Sequence, residues 1–144
     1  RIFAISNALI NRKIKSELND SDTLMIIMET ASGKQCHINN SRSATYGYDQ
    51  RVELFGSKGM VVSENKKPHE LKKYNSEFVD KREPYLNFFI ERYQEAYMNS
   101  ITSFVEAIIE KKPVSVGFED GRRALILAEA AYKSVKSGRF EKID

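Results

Sequence analysis

The sequence predicts an α+β domain: a predominantly antiparallel open sheet with two main helices packed on one face. Three observations carry that expectation. Short apolar runs separated by tight turns fill residues 1–63, the apolar spacing changes to threes and fours after Pro84, and 144 residues is the length of a single domain. Strands joined by turns this short must pair antiparallel, because a parallel neighbour needs a crossover of about a dozen residues or more.

Taken in order, residues 1–10 hold Ile2, Phe3, Ile5, Leu9 and Ile10, a short apolar run read as a strand; periodicity alone leaves a helix segment open. Residues 11–22 are polar and end Asn19-Asp20-Ser21-Asp22, which reads as a mobile surface loop. Residues 23–30, with Leu-Met-Ile-Ile-Met at their centre, read as a strand apolar on both sides, so both faces should be covered, the second by another copy in a free-standing chain. Ala31-Ser32-Gly33-Lys34 supplies a hairpin turn, and residues 35–40 return as a strand alternating Cys36 and Ile38 against Gln35, His37 and Asn39. A further strand is expected over residues 51–55, a tight turn at Gly56-Ser57-Lys58-Gly59, and a strand over 60–63. Residues 64–83 are polar with few apolar anchors and read as an excursion or an edge strand.

From Pro84 the residues Leu86, Phe89, Ile90, Tyr93, Tyr97, Ile101, Phe104, Val105, Ile108 and Ile109 trace the stripe of one long amphipathic helix, which Pro113 stops. Asp120 is placed to cap a second helix with Ala124, Leu125, Ala128, Ala131, Tyr132 and Val135 inward and Gly138 as its stop. Residues 140–144 could add a last short strand.

Composition narrows the function classes. With 41% apolar and 30% charged residues the chain is an ordinary globular one, and a net charge of +3 without a long basic run argues against a nucleic-acid partner. The apolar run from Leu24 to Met28 is too short to span a bilayer, and neither a signal peptide nor a membrane partner is expected. Cys36 is the single cysteine, so no internal disulfide or multi-cysteine metal site can form; a buried, inert thiol and a reducing, cytoplasmic setting are expected. Gly-x-Gly-x-x-Gly, the Lys-Ser/Thr phosphate loop and His-Glu-x-x-His are all missing. His37 and His69 lie in unlike surroundings, and Glu119-Asp120 suits a helix N-terminus better than a catalytic dyad. No catalytic, cofactor-binding or metal-binding residue is assigned. The chain opens at Arg1 in strand-like sequence without a Met, as a piece of a longer protein would.

The stretch with the densest chemistry runs from Asn40 to Gly59. It gathers Asn40, Arg42, Tyr46, Tyr48, Asp49, Gln50 and Arg51 at the mouth of a strand, and strand alternation would put Tyr46, Tyr48 and Gln50 on one face with Val52 and Leu54. Gly47 between the tyrosines lets the backbone bend or something come close. A polar loop whose tyrosines cap the core is the alternative. Tyr93 and Tyr97 lie one helical turn apart and could both be core, or point a hydroxyl at a pocket.

These residues resemble the C-terminal domain of the glucose-fructose oxidoreductase, inositol dehydrogenase and MocA-like oxidoreductase family. The likeness is carried by Asn40-Ser41-Arg42, Tyr46-Gly47-Tyr48-Asp49-Gln50-Arg51-Val52-Glu53, Phe55-Gly56-Ser57-Lys58-Gly59, Arg92-Tyr93, Ala96-Tyr97 and Glu119-Asp120-Gly121-Arg122. It covers nearly the whole chain and is weakest over residues 65–80. The resemblance implies one C-terminal domain over residues 1–144, of the glyceraldehyde-3-phosphate-dehydrogenase-like C-terminal type, that shapes a polyol or sugar pocket and forms a homo-oligomer through its sheet face. It implies an N-terminal Rossmann domain as intramolecular partner, absent from this chain. NAD is expected in the full-length protein and none on this fragment, which should be inactive alone, since the cofactor glycines, the catalytic lysine and the aspartate and histidine that handle the hydroxyl proton lie upstream in that family. By the same resemblance Tyr48 and Tyr97 match pocket tyrosines; Tyr46 and Asn40 are added as further substrate-binding candidates because they flank that strand mouth. An oligomerisation or carbohydrate-binding module without activity of its own is the alternative.

Overall fold

The structure is a computed structural model that describes residues 1–143. The elements follow the order β1 (Ile2–Asn7), α1 (Arg12–Leu18), β2 (Thr23–Glu29), β3 (Gln35–Ser41), β4 (Val52–Gly56), β5 (Gly59–Ser63), α2 (Phe89–Ile109) and α3 (Phe118–Ser137). The chain is α+β and every named strand pair is antiparallel. It divides into two compact units: Arg1–Ser43 with the segment from Val114 onward, and Ala44–Pro113.

In the first unit β2 is central, flanked by β1 and β3. Register places Ile2, Met28 and Cys36 in one row, Ala4, Ile26 and Ile38 in the next, and Ser6, Leu24 and Asn40 in a third, all on the same face. α3 packs on that face over β1, and Ile2, Ala4, Ile26, Ala130 and Ala131 form the buried core with Leu24, Met28 and Val135 at its margin. The helix does not reach β3, whose residues are all exposed. That is why Cys36, expected to be buried, is exposed: its row is covered at Ile2 and open at the edge strand. The opposite face carries Phe3, Ile5, Met25 and Ile27 beside His37 and Asn39. Ile5, Met25 and Ile27 are 55%, 51% and 55% exposed, so the second side of β2 is open in the single chain.

Three boundaries differ from the sequence expectation. Residues 12–18 form α1 rather than a mobile loop, because Asn11 caps it by accepting from Lys13 N at 3.1 Å and Asn19 closes it in a left-handed conformation at φ 50°. α3 begins at Phe118, with Asp120 one turn in and accepting from Gly117 N at 2.8 Å; its predicted stop at Gly138 holds, at φ 66°. Its inward face is rotated from the expected one: Ala131 and Val135 turn in as predicted, whereas Ala124, Leu125, Ala128 and Tyr132 are exposed and Ala130 and Ser134 are buried. Residues 140–143 add a single bridge, Ile2 to Glu141, rather than a strand; residue 144, which that expectation included, lies outside the described residues.

Ser134 is fully buried and ties helix to sheet. Its hydroxyl accepts from Ala4 N at 2.9 Å and donates to Arg139 O at 2.6 Å. Ser134→Ala leaves both backbone groups unpaired in the core, so the urea midpoint should fall by the equivalent of about 1–3 kcal/mol. An unchanged midpoint would show that water replaces the hydroxyl there.

Asp22 fastens the connection between β1 and α1. Its carboxylate accepts from Leu9 N at 2.8 Å, Ile10 N at 3.0 Å, Asn11 N at 2.8 Å and the Thr23 hydroxyl at 2.9 Å. Burial pushes this carboxyl up, but the donors from Asn11, Leu9, Thr23 and Ile10 together hold it below its ordinary value. A carboxyl depressed in the folded state stabilises the fold above its unfolded pKa and loses that contribution as pH falls through the folded one. Stability should therefore decline below about pH 4. Urea unfolding across that range should show a shallower acid slope for Asp22→Asn; an identical slope would assign the acid sensitivity to other carboxyls.

Candidate functional site

The candidate site lies in the second unit, where the chain passes from residue 44 into β4. Residues 45–46 form a turn, and the buried Gly47 adopts φ 118°. A Cβ on Gly47 would stand 2.6 Å from Tyr85 O, so both its conformation and its close approach require glycine. This bend ends the strand alternation expected to carry Tyr46 and Tyr48 onto one face with Val52 and Leu54. The two tyrosines instead make separate contacts: the Tyr46 ring meets Tyr85 edge-on at 6.0 Å, and the Tyr48 ring meets Tyr93 edge-on at 5.6 Å.

The backbone around the bend is pinned by residues 84–88. Tyr85 N donates to Tyr46 O at 3.0 Å, Tyr48 N donates to Leu86 O at 2.8 Å, and Leu86 N donates to Lys66 O at 3.0 Å. These pairings occupy backbone groups of residues 85 and 86, Phe88 is extended, and α2 starts at Phe89 rather than at the predicted Pro84 turn. Residues 64–83, expected as an excursion or edge strand, run without a named strand and carry one bridge, Lys73 to Lys81.

Polar groups around the bend converge on Asp49. Arg51 donates to it from Nε at 2.8 Å and Nη2 at 3.0 Å, Asn65 Nδ2 donates at 2.6 Å, and the Tyr46 hydroxyl donates to Oδ2. Asn65 is buried and its carbonyl oxygen accepts from Gln50 N at 2.7 Å. The Arg51 guanidinium, then the Tyr46 hydroxyl and Asn65, hold the Asp49 carboxyl far below the usual carboxylate range against the opposing effect of burial. The same contact with Asp49 raises the Tyr46 hydroxyl.

A line of aromatic rings continues from Tyr48 along α2. Tyr93 meets Tyr97 edge-on at 6.1 Å, and the Arg92 guanidinium lies over the Tyr93 ring at 5.6 Å. Burial, with the Tyr48 hydroxyl beside it, raises the Tyr93 hydroxyl. Tyr48 and Tyr93 are half-buried, and Tyr97 is 51% exposed. The structure thus joins Tyr48 to Tyr97 through Tyr93 and turns Tyr46 toward Asp49. Asn40, the fourth predicted site residue, is exposed on β3 in the first unit.

Asp49 and Arg51 stood in the polar stretch without an assigned role, and Asn65 was missed. A signal for Asn65 was available: β4 and β5 pair Val52 with Ser63, and continuing that register two residues outward brings Gln50 opposite Asn65.

Other places offer less. A shallow depression of about 450 Å³ is lined by Arg1, Glu29, Cys36 and His37 among others, but its two charged groups pair with each other at 2.5 Å. Among the described residues no group of His, Cys, Asp and Glu is arranged to hold a metal ion, and no helix is long and apolar enough to cross a membrane. Nor do this chain's residues fit a dinucleotide. The first turn of α3 carries Glu119 and Asp120, whose charges oppose a pyrophosphate, and among the described residues no glycine-rich turn joins a strand to a helix.

Antiparallel strands and long helices define an α+β domain. The chain belongs to the oxidoreductase family, whose C-terminal alpha/beta domain model matches residues 5–144. It is 44% identical over 138 residues to the inositol 2-dehydrogenase of Rhizobium meliloti (strain 1021), covering 96% of this chain and 41% of that protein. The crystal structure of a myo-inositol dehydrogenase from Corynebacterium glutamicum ATCC 13032 is similar at TM-score 0.89 and 38% identity, covering 96% of this chain and 41% of that one. A scyllo-inositol dehydrogenase from Lactobacillus casei, solved with bound NAD(H) and scyllo-inositol, shares the fold at TM-score 0.80 and 23% identity, over 95% of this chain and 40% of its own. The chain spans about two fifths of the length of these relatives.

Proposed function

We propose that this chain is the polyol-facing and subunit-pairing domain of an NAD-dependent inositol 2-dehydrogenase that oxidises myo-inositol to its 2-keto form. The observation that carries the proposal is Tyr48, presented by the Gly47 bend against Tyr93 and in line with the half-exposed Tyr97. Similarity to inositol dehydrogenases supports the substrate class. Phenolic hydroxyls both donate and accept, which suits a ring displaying a hydroxyl at each carbon. NAD, held by the rest of the full-length protein, would supply the hydride acceptor for the carbinol carbon. The residues here bind and orient the polyol, Tyr48 and Tyr97 by direct hydrogen bonds. A cytoplasmic location is part of the same proposal, on the single cysteine.

The test is NADH formation by the full-length protein with myo-inositol. Reduction of NAD is expected, and none with myo-inositol, scyllo-inositol or related sugars would overturn the proposal. Residues 1–144 alone should show no turnover; turnover by them would overturn the assignment of hydride transfer to the rest of the protein.

A specific observation favours a second role for the same chain. The face opposite α3, where Ile5, Met25 and Ile27 are exposed beside a Phe3 half-buried against Phe140, bears no unpaired charge in its central rows and suits a second copy of itself related by a two-fold axis.

A further inference from the structure

We propose that Asp49, acting with Tyr46, Arg51 and Asn65, is the positioning group that fixes Tyr48 for polyol recognition; this rests on Tyr48 facing the polyol. The direction of the Tyr48 side chain is set by the backbone of residues 47–49. On its N-terminal side that backbone is held by Gly47 packed on Tyr85 and by the pairings of residues 46 and 48 with 85 and 86. On its C-terminal side the anchors are the Asp49 carboxylate and the Asn65 carbonyl. That carboxylate takes four hydrogen bonds from three side chains, and so ties residue 46, before the bend, to residues 51 and 65 after it. Asn65 completes the loop by accepting from Gln50 N.

Tyr46 therefore works here as a donor to Asp49. An asparagine at position 49 would keep the volume but lose the charge that Arg51 grips at two points, and its amide would face the donors of Arg51 and Asn65.

The experiment measures steady-state kinetics of the full-length enzyme on myo-inositol for Asp49→Asn, Asp49→Glu, Tyr46→Phe and Tyr48→Phe. Asp80→Asn serves as the control, since it breaks a more exposed carboxylate cluster, with Arg82 and Lys72, that shares no residue with the bend. Asp49→Asn should raise KM on the order of tenfold, short of the hundredfold that an ångström of misplacement can cost, with kcat changed by less than about twofold. Asp49→Glu should recover part of that loss, Tyr46→Phe should shift KM in the same direction by less, and Asp80→Asn should leave KM unchanged. If Tyr48→Phe raises KM while Asp49→Asn and Tyr46→Phe do not, the positioning proposal is overturned and the polyol assignment stands. If Tyr48→Phe leaves KM unchanged, both fall. Should Asp49→Asn fail to fold, KM of Tyr46→Phe decides, because that change removes a single hydroxyl. Equal effects of Asp49→Asn and Asp80→Asn would reduce Asp49 to a general stabilising role and also overturn the proposal.

Discussion

Replacing Tyr48 with phenylalanine in the full-length protein should weaken myo-inositol binding about tenfold, and should do so selectively. The change keeps the ring that meets Tyr93 at 5.6 Å and deletes only the hydroxyl. One hydrogen bond to a substrate hydroxyl is worth about 0.5–1.5 kcal/mol, and 1.4 kcal/mol corresponds to about tenfold in affinity. The sharper readout compares myo-inositol with its deoxy analogues. Wild-type enzyme should reject the analogue lacking the hydroxyl that Tyr48 contacts, because the phenol is then left unpaired, and Tyr48→Phe should accept that analogue almost as well as myo-inositol. If the variant loses affinity equally for every analogue, the Tyr48 hydroxyl is not reading a particular substrate position and the direct hydrogen bond is contradicted.

Ile27→Lys should convert the assembled protein to monomers. Ile27 lies in the central strand of the three-stranded sheet, paired with Phe3 on one side and His37 on the other, on the face that α3 does not cover. A stable two-fold interface buries about 800 Å² on each partner, and a lysine forced into its apolar centre would be desolvated without a counter-charge, at a cost of several kcal/mol. Light scattering should therefore report a dimer or larger for the parent protein and a monomer for Ile27→Lys. The same substitution at the exposed Leu18 on α1 should leave the assembly intact. A monomeric parent protein at high concentration would contradict the proposed pairing.

What was legible in the sequence was local. The turn at residues 31–34 and the turn at 56–59 each hold a glycine at positive φ, 79° at Gly33 and 137° at Gly59, and the strands on either side follow from them. What escaped depends on partners distant in sequence or on how far one element reaches. Residues 84–88 read as the first turn of a helix because nothing nearby reveals that residues 46, 48 and 66 occupy their backbone groups. Ser134 lies outside the apolar stripe that marks the inward face, and only its partners Ala4 N and Arg139 O show its hydroxyl to be in the core. Cys36 is apolar enough to be buried, and its exposure is decided by α3 stopping short of β3. α1 offers only Ile14 and Leu18 as apolar anchors and depends on its asparagine caps, a weaker signal than a stripe.

At the site, the sequence marked the cluster but not its division of labour. Tyr46 and Tyr48 are equivalent by type and spacing. The positive φ of Gly47 separates them, one toward Asp49 and the other toward α2.

The most direct test of the whole account is a crystal structure of the full-length protein with NAD(H) and myo-inositol bound. The account predicts a ring hydroxyl of the inositol within hydrogen-bonding distance of the Tyr48 hydroxyl, with every nicotinamide contact made by residues upstream of Arg1. An inositol bound without touching Tyr48 or Tyr97, or a nicotinamide seated on residues of this chain, would contradict it.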